Sequence, residues 1–328
     1  MGRQLNEAAV WGQSKPITNN QMLILHIISN ENDRNRVERV VRYMPETFKH
    51  QYVTPNEMSA YQGDVDVVHA HRWFECGYAA WNYAVAKHVP YVVDVMQSDL
   101  EAYHKLFVFN KKGAENVLSE AARVVFTSQS QQDFLAQHLP SKTADTVFFH
   151  STMLFEALDP FWISNIRIHP PTALVHIKLL CVGTSDSNGH LDVVHHAMKK
   201  LQRRNYDITL TTVGDLTDEE LLEVYRKHDI LLQLDEKAPS TQRFAEALSQ
   251  GLPVLYAHGS VCDGIFKEGL AGYAVNPRSS DDLARTILNV SDLFGTIEQH
   301  ISRLHPLSQF DGREQASHYG HLYENAAW

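Results

Sequence analysis

The chain has 328 residues, 44% of them apolar, and a formal net charge of −10. The length allows two domains of about 150 residues each, and the apolar share suits a globular protein with substantial cores. The acidic balance argues against wholesale duplex DNA binding, which is driven by neutralising phosphates, and no nucleic-acid partner is expected.

Cys76, Cys181 and Cys262 are few, odd in number and widely spaced. They give neither a disulfide framework nor a zinc motif and point to a reducing, cytoplasmic setting. Residues 1–20 are polar, lack the apolar core of a secretion signal and read as a flexible N-terminal arm. No apolar run approaches the roughly 20 residues of a membrane span.

From residue 22 strands and helices alternate. The run 22–28 reads as a strand, 34–44 as a helix, 65–68 as a strand, 78–87 as a helix, 91–96 as a strand, 113–122 as a helix and 124–126 as a strand. Repeated βα units with β-branched strands imply a parallel sheet covered on both faces. Residues 160–171 carry few periodic signals and are taken as the crossing between domains.

The pattern then restarts, with a strand at 179–182 ending at Gly183, a helix at 191–204, a strand at 208–213 ending at Gly214 and a helix at 218–227. A strand at 230–234 is punctuated by Pro239-Ser240. A helix opens through 244–248 and stops at Gly251, and Pro253-Val254-Leu255 begins the next strand. A strand at 273–275 and a helix at 281–289 follow. The fold class is α/β, with two Rossmann-like domains whose parallel sheets face a central cleft, and a shared substrate is expected beyond the carboxyl ends of the strands.

Several segments, in order, resemble glycosyltransferase family 4, the group 1 glycosyltransferases of GT-B fold. They are Asp64-Val65-Asp66-Val67-Val68-His69-Ala70-His71, Pro90-Tyr91-Val92-Val93-Asp94-Val95-Met96-Gln97-Ser98-Asp99, Ala121-Ala122-Arg123-Val124-Val125-Phe126-Thr127-Ser128, Gly251-Leu252-Pro253-Val254 and Gly272-Tyr273-Ala274-Val275-Asn276-Pro277. Residues 310–323 are similar to the tail helix of that family.

The resemblance implies an acceptor domain over 21–168, a nucleotide-sugar donor domain over 169–308 and a helix over 309–328 crossing back to the first domain. It also implies retaining transfer of a sugar from a nucleotide-sugar to a glycan, glycolipid or small-molecule acceptor, with no cofactor and no obligatory metal. The family carries two glutamates eight positions apart. Here the second is Glu246 and the first position is Ala238, with Glu236 ten before Glu246. The Arg and Lys-Gly that hold the diphosphate in the family are replaced by Thr184 and Asn188-Gly189, and the usual His after the 91–95 strand by Met96.

Breaking a glycosyl–phosphate bond puts growing negative charge on a diphosphate, which fixed donors must meet. One candidate cradle is Gly183, Thr184 and Ser185 with Asn188 and Gly189, a strand–loop–helix joint whose bland reading is a helix cap. The other is Ser240 and Thr241 at the next helix start, with Arg243 one turn inside. Arg243 can grip two phosphate oxygens or simply pair with Glu246 three residues on.

Asp99 and Asp94 are the polar candidates near the sugar. Asp94 is an acid inside an apolar run that needs a partner if buried. His69, His71 and Arg72 are expected to line the acceptor pocket; His69 and His71 share a strand face and could instead be core histidines or bind zinc with Glu75 nearby. Asp64 and Asp66 have the Asp-X-Asp form of a metal site but precede their strand. Arg34, Arg36, Arg39 and Arg42 fall within one helix as a solvated face or, with residues 105–112, as a peripheral contact at the inner face of the membrane. The rival reading is a catalytically degenerate GT-B protein, either a sugar- or nucleotide-binding module or the partner subunit of another transferase.

Overall fold

A computed structural model describes residues 21–126, 129–138, 157–167, 176–182, 190–214, 216–235, 241–260, 262, 268–303, 307 and 310–327. The chain divides into two compact units. The first holds the residues up to Phe126, Asp133–Leu154 and the tail from Ala316; the second holds Thr127–Gln132 and Phe155–Gln315.

In the first unit the elements run β1 (Met22–Ile27), α1 (Glu31–Val41), β2 (Phe48–Val53), α2 (Pro55–Met58), β3 (Val67–Ala70), α3 (Glu75–Lys87), β4 (Tyr91–Val95), α4 (Gln97–Lys105), α5 (Val108–Ser119), β5 (Arg123–Phe126) and α6 (Gln129–His138). All strand pairs are parallel, in the order β2-β1-β3-β4-β5. β3 and β4 are buried along their whole length, as a sheet covered on both faces requires. β2 and α4 were not anticipated from the sequence. β2, Phe-Lys-His-Gln-Tyr-Val, buries fully only Phe48; as an edge strand it carries polar residues that hide it from an apolar-run search.

The second unit runs α7 (Pro160–Ser164), β6 (Ile177–Val182), α8 (Leu191–Gln202), β7 (Ile208–Val213), α9 (Asp218–Arg226), β8 (Ile230–Gln233), α10 (Thr241–Ser249), β9 (Val254–Ala257), β10 (Gly272–Val275) and α11 (Ser280–Ser302), and α12 (Gly312–Ala327) closes the chain. The sheet order is β10-β9-β8-β6-β7, again parallel throughout. Read from its second strand, each unit has the order 2-1-3-4-5, which reverses direction between its first and third strands. At such a switch point neighbouring crossovers go to opposite faces and leave a crevice at the strands' carboxyl ends.

Helix α11 outruns the expected 281–289. Ser291, Asp292 and Gly295 interrupt the apolar composition, yet Leu283, Ile287, Val290, Phe294, Ile297 and Ile301 keep one buried stripe at three- and four-residue spacing. The segment 105–112 is not one alternating strip. It is the end of α4, a short link and the start of α5, with Phe107 81% exposed in the link. Within α1, Arg34 pairs with Glu38 at 2.9 Å and Arg36 faces Asp33 at 3.9 Å, so part of the basic face is matched locally. No helix among the described residues is long and apolar enough to cross a membrane.

Gly272 opens β10 opposite Val254 of β9, and a Cβ built there would lie 1.8 Å from the Val254 carbonyl oxygen. Backbone cannot yield as a side chain does. Gly272→Ala is therefore expected to cost on the order of 2 kcal/mol or more, seen as a fall of several degrees in the thermal unfolding midpoint. An unchanged midpoint would show that the edge strand gives way freely.

Candidate functional site

The first unit gathers its polar side chains at the switch point. β1 and β3 pair with His26 opposite His69, and β3 pairs with β4 so that Ala70 stands opposite Val93, which brings His71 alongside Asp94. All four side chains are fully buried. Asp94 Oδ1 lies 2.7 Å from His69 Nε2, and Asp94 Oδ2 lies 2.8 Å from His71 Nδ1. His71 Nε2 meets His26 Nδ1 at 2.8 Å, and His26 Nε2 meets His50 Nδ1 at 2.9 Å. On the other side His69 Nδ1 is 2.7 Å from the Tyr323 hydroxyl of α12.

Proton positions follow from the one group with no choice. An ionised carboxylate only accepts, so His69 donates from Nε2 and His71 from Nδ1. The remaining nitrogens then accept: His69 Nδ1 from the Tyr323 O–H, His71 Nε2 from His26 Nδ1–H, and His26 Nε2 from His50 Nδ1–H.

The electrostatics agree with it. Burial alone would raise Asp94, but the charge and hydrogen bonds of His69 and His71 hold it below the ordinary carboxylate range. Burial, with repulsion from His69, pushes His71 down to about 4, and burial pushes His50 down to about 4. His26 is lowered by burial and by the neighbouring His71, His50 and His69.

The other expected residues of this unit lie around it. Arg72 is partly exposed and reaches Asp33 of α1, its Nε donating to Oδ2 at 3.3 Å. Asp99 lies in the first turn of α4 and is almost fully buried; its Oδ2 accepts from the Met96 N–H at 2.8 Å and the Trp73 N–H at 3.2 Å. Glu75 is exposed at the start of α3 and does not join the histidines; His26 takes that place. Asp66 accepts from the Leu23 N–H at 2.7 Å, tying the residue before β3 to β1, while Asp64 is exposed.

In the second unit Glu246 is fully buried on α10. It accepts from Gln242 Nε2 at 2.9 Å, from a terminal nitrogen of Arg243 at 2.9 Å and from the Tyr225 hydroxyl of α9 at 3.4 Å. Burial raises its pKa against the pull of Arg243 and Gln242. Arg243 is itself raised, because its attraction to Glu246 outweighs its partial burial. Its side chain keeps 32% exposure. The carboxylate is thus a buried anchor for an arginine whose side chain is partly exposed. Thr241 opens α10. Gly183, Thr184, Ser185, Asn188, Gly189 and Ser240 lie outside the described residues, as do Glu236 and Ala238.

Three members of the buried cluster were not singled out from the sequence: His26, His50 and Tyr323. A histidine within the run Leu23-Ile24-Leu25-His26-Ile27 is a local signal, since a polar group in a doubly covered strand must find a partner. His50 was hidden with its edge strand. Tyr323 meets His69 across 254 positions, which no local pattern could show.

No known family matches the chain, and no curated protein does. Solved structures do. Sucrose-phosphate synthase from Thermosynechococcus elongatus aligns over 93% of this chain and 98% of its own at 13% identity, with a TM-score of 0.65. HepE from Anabaena, in complex with UDP and glucose, aligns over 91% and 99% at 13% identity and a TM-score of 0.56. A trehalose-6-phosphate synthase studied for glycosyl transfer with retention aligns over 82% and 76% at 10% identity and a TM-score of 0.59. These likenesses establish the fold as GT-B, two parallel five-stranded sheets with flanking helices.

Asp99 yields a pH prediction. Burial lifts it from 3.8 to about 6 in spite of its two backbone donors and the nearby Arg72. A raised acid binds its proton more tightly in the fold than in the unfolded chain. Its contribution to stability is therefore complete below the unfolded value and lost as pH rises through the folded one. The gap corresponds to about 3 kcal/mol. Thermal unfolding across pH 3.8 to about 6 is expected to show the wild type losing stability relative to Asp99→Asn, which keeps an oxygen acceptor but cannot titrate. Parallel curves for the two proteins would refute the assignment.

Proposed function

We propose that the protein is a glycosyltransferase, moving a hexose from a nucleotide-sugar donor to an acceptor with retention of configuration and without a metal ion at the reacting centre. The observation that carries the reading is Arg243, fixed in the first turn of α10 by the buried Glu246. A leaving diphosphate needs a cation already in place when charge develops, so that no reorganisation is demanded at the moment of reaction. A guanidinium with one nitrogen committed to a buried carboxylate is held in that way, and its fork suits phosphate oxygens.

Glu246 is the positioning residue, and the loops holding Gly183, Thr184, Ser185, Asn188, Gly189 and Ser240, with Thr241, complete the donor side. No covalent intermediate is required, because the departing phosphate can take the acceptor's proton on the same face of the sugar. In the first unit Arg72 presents a partly exposed guanidinium for the acceptor, while His69, His71 and Asp94, being fully enclosed, act by shaping the strand ends.

The departures at Ala238, Thr184, Asn188 and Met96 favour a second reading, in which the chain binds a nucleotide or sugar without turning it over, as a module or a partner subunit. The first reading demands both donor binding and cleavage; the second demands neither cleavage nor, for a sugar-binding module or partner subunit, a nucleotide.

Calorimetry with a panel of nucleoside diphosphates is expected to show binding by at least one of them, and no binding at millimolar concentration would remove the first reading. Arg243→Lys keeps a cation for Glu246 but loses the fork, so it should weaken that binding about tenfold or more (~1.4 kcal/mol) with little change in unfolding midpoint. Unchanged affinity would displace Arg243 from the site. Slow hydrolysis of the matching nucleotide-sugar separates the enzyme from the binding module.

A further inference from the structure

We propose that the first unit holds one divalent transition-metal ion of the zinc type, bound by ring nitrogens of His26, His69 and His71, with Asp94 as the acceptor that orients two of those rings. One nitrogen from each histidine lies within 4.8 Å of the others, and all three side chains are fully buried. Asp94 already occupies His69 Nε2 and His71 Nδ1, so the ion would bind His69 Nδ1 and His71 Nε2 in exchange for their present contacts with Tyr323 and His26. A carboxylate behind a histidine ring is the usual arrangement around a protein-bound zinc, because it fixes the tautomer and makes the ligating nitrogen more basic.

The place for the ion is marked by His26 Nδ1 and His71 Nε2, which face each other at 2.8 Å with a single proton between them. A cation replacing that proton would be held by both rings. Tetrahedral ligands on zinc stand about 3.3 Å apart, given metal–nitrogen bonds of roughly 2.0–2.1 Å, so His26 must swing back slightly. His26 stacks on His50 and Tyr52 of the edge strand β2. The Tyr323 hydroxyl meets His69 Nδ1 at 2.7 Å, so an ion on that nitrogen would displace it or take it as an oxygen ligand.

Charge points the same way. Asp94 brings a fully buried carboxylate to the cluster, and buried charges are ordinarily paired or coordinate metals. The nearest guanidinium acting on His71, Arg36, itself faces Asp33 at 3.9 Å. Three imidazoles select zinc, copper, nickel or iron-type ions over magnesium or calcium, which require oxygen ligands. The ion would fasten β1, β3 and the tail helix α12 together, and it is independent of the donor site in the second unit.

The test is metal binding by the full chain, purified without an affinity tag rich in histidine and stripped with a chelator. Titration with zinc is expected to reach one tightly held equivalent per chain, and cobalt in its place should give the intense visible bands of a four-coordinate site. X-ray absorption of the zinc-loaded wild type should count about three imidazole ligands, a measurement that needs no variant. His26→Gln and Asp94→Asn should each weaken binding by roughly 10–100-fold, while Glu75→Gln leaves it unchanged. Absence of a stoichiometric ion in the wild type would overturn the proposal. So would undiminished binding by a folded His26→Gln protein, since that would place the ion among the other histidines of a chain that has 19.

Discussion

The first unit is organised around one carboxylate that has no access to water. Asp94 sits in the middle of a strand covered on both faces, and an ionised group there is tolerable only if both oxygens are met by donors. Two histidines meet them, and each then needs a partner for its second nitrogen. The requirement propagates outward, through His26 to His50 on one side and through Tyr323 on the other. It ties four elements of the sheet to the last helix of the chain. Removing a single partner from such a pair strands the other charge, at a cost of about 3–5 kcal/mol, so the network behaves as a unit.

The second unit solves a similar problem on a smaller scale. Glu246 is as deeply enclosed as Asp94, but it is met by a charged guanidinium, an amide and a hydroxyl. The consequence differs. In the first unit the carboxylate is met by ring nitrogens, whereas Arg243 pairs with Glu246 and keeps a partly exposed side chain of its own. One cluster is poised to accept a cation and the other to present one.

Much of the fold was legible in the residue pattern. Apolar strands such as Tyr91–Val95 and amphipathic helices such as Asp218–Arg226 announce themselves, because burial on two faces or one stripe leaves a periodic trace. Elements that touch the core on one side only left a weaker trace. β2 escaped notice for that reason, and the second half of α11 did because polar residues on its outer face masked a continuing buried stripe.

The sequence by itself determined the alternation of strands and helices, the two-unit plan, and the oddity of an aspartate within an apolar strand and a glutamate in a bland helix. It also placed His69 and His71 on one face, since side chains alternate along a strand. Only the tertiary structure decided what those residues do. Parallel register sets His26 beside His69, the 254-residue reach of the chain brings Tyr323 to the same point, and the packing of α9 on α10 brings the Tyr225 hydroxyl to Glu246. Such partnerships depend on which backbone segments lie side by side, and strand order is fixed by packing across the whole sheet rather than by any one segment.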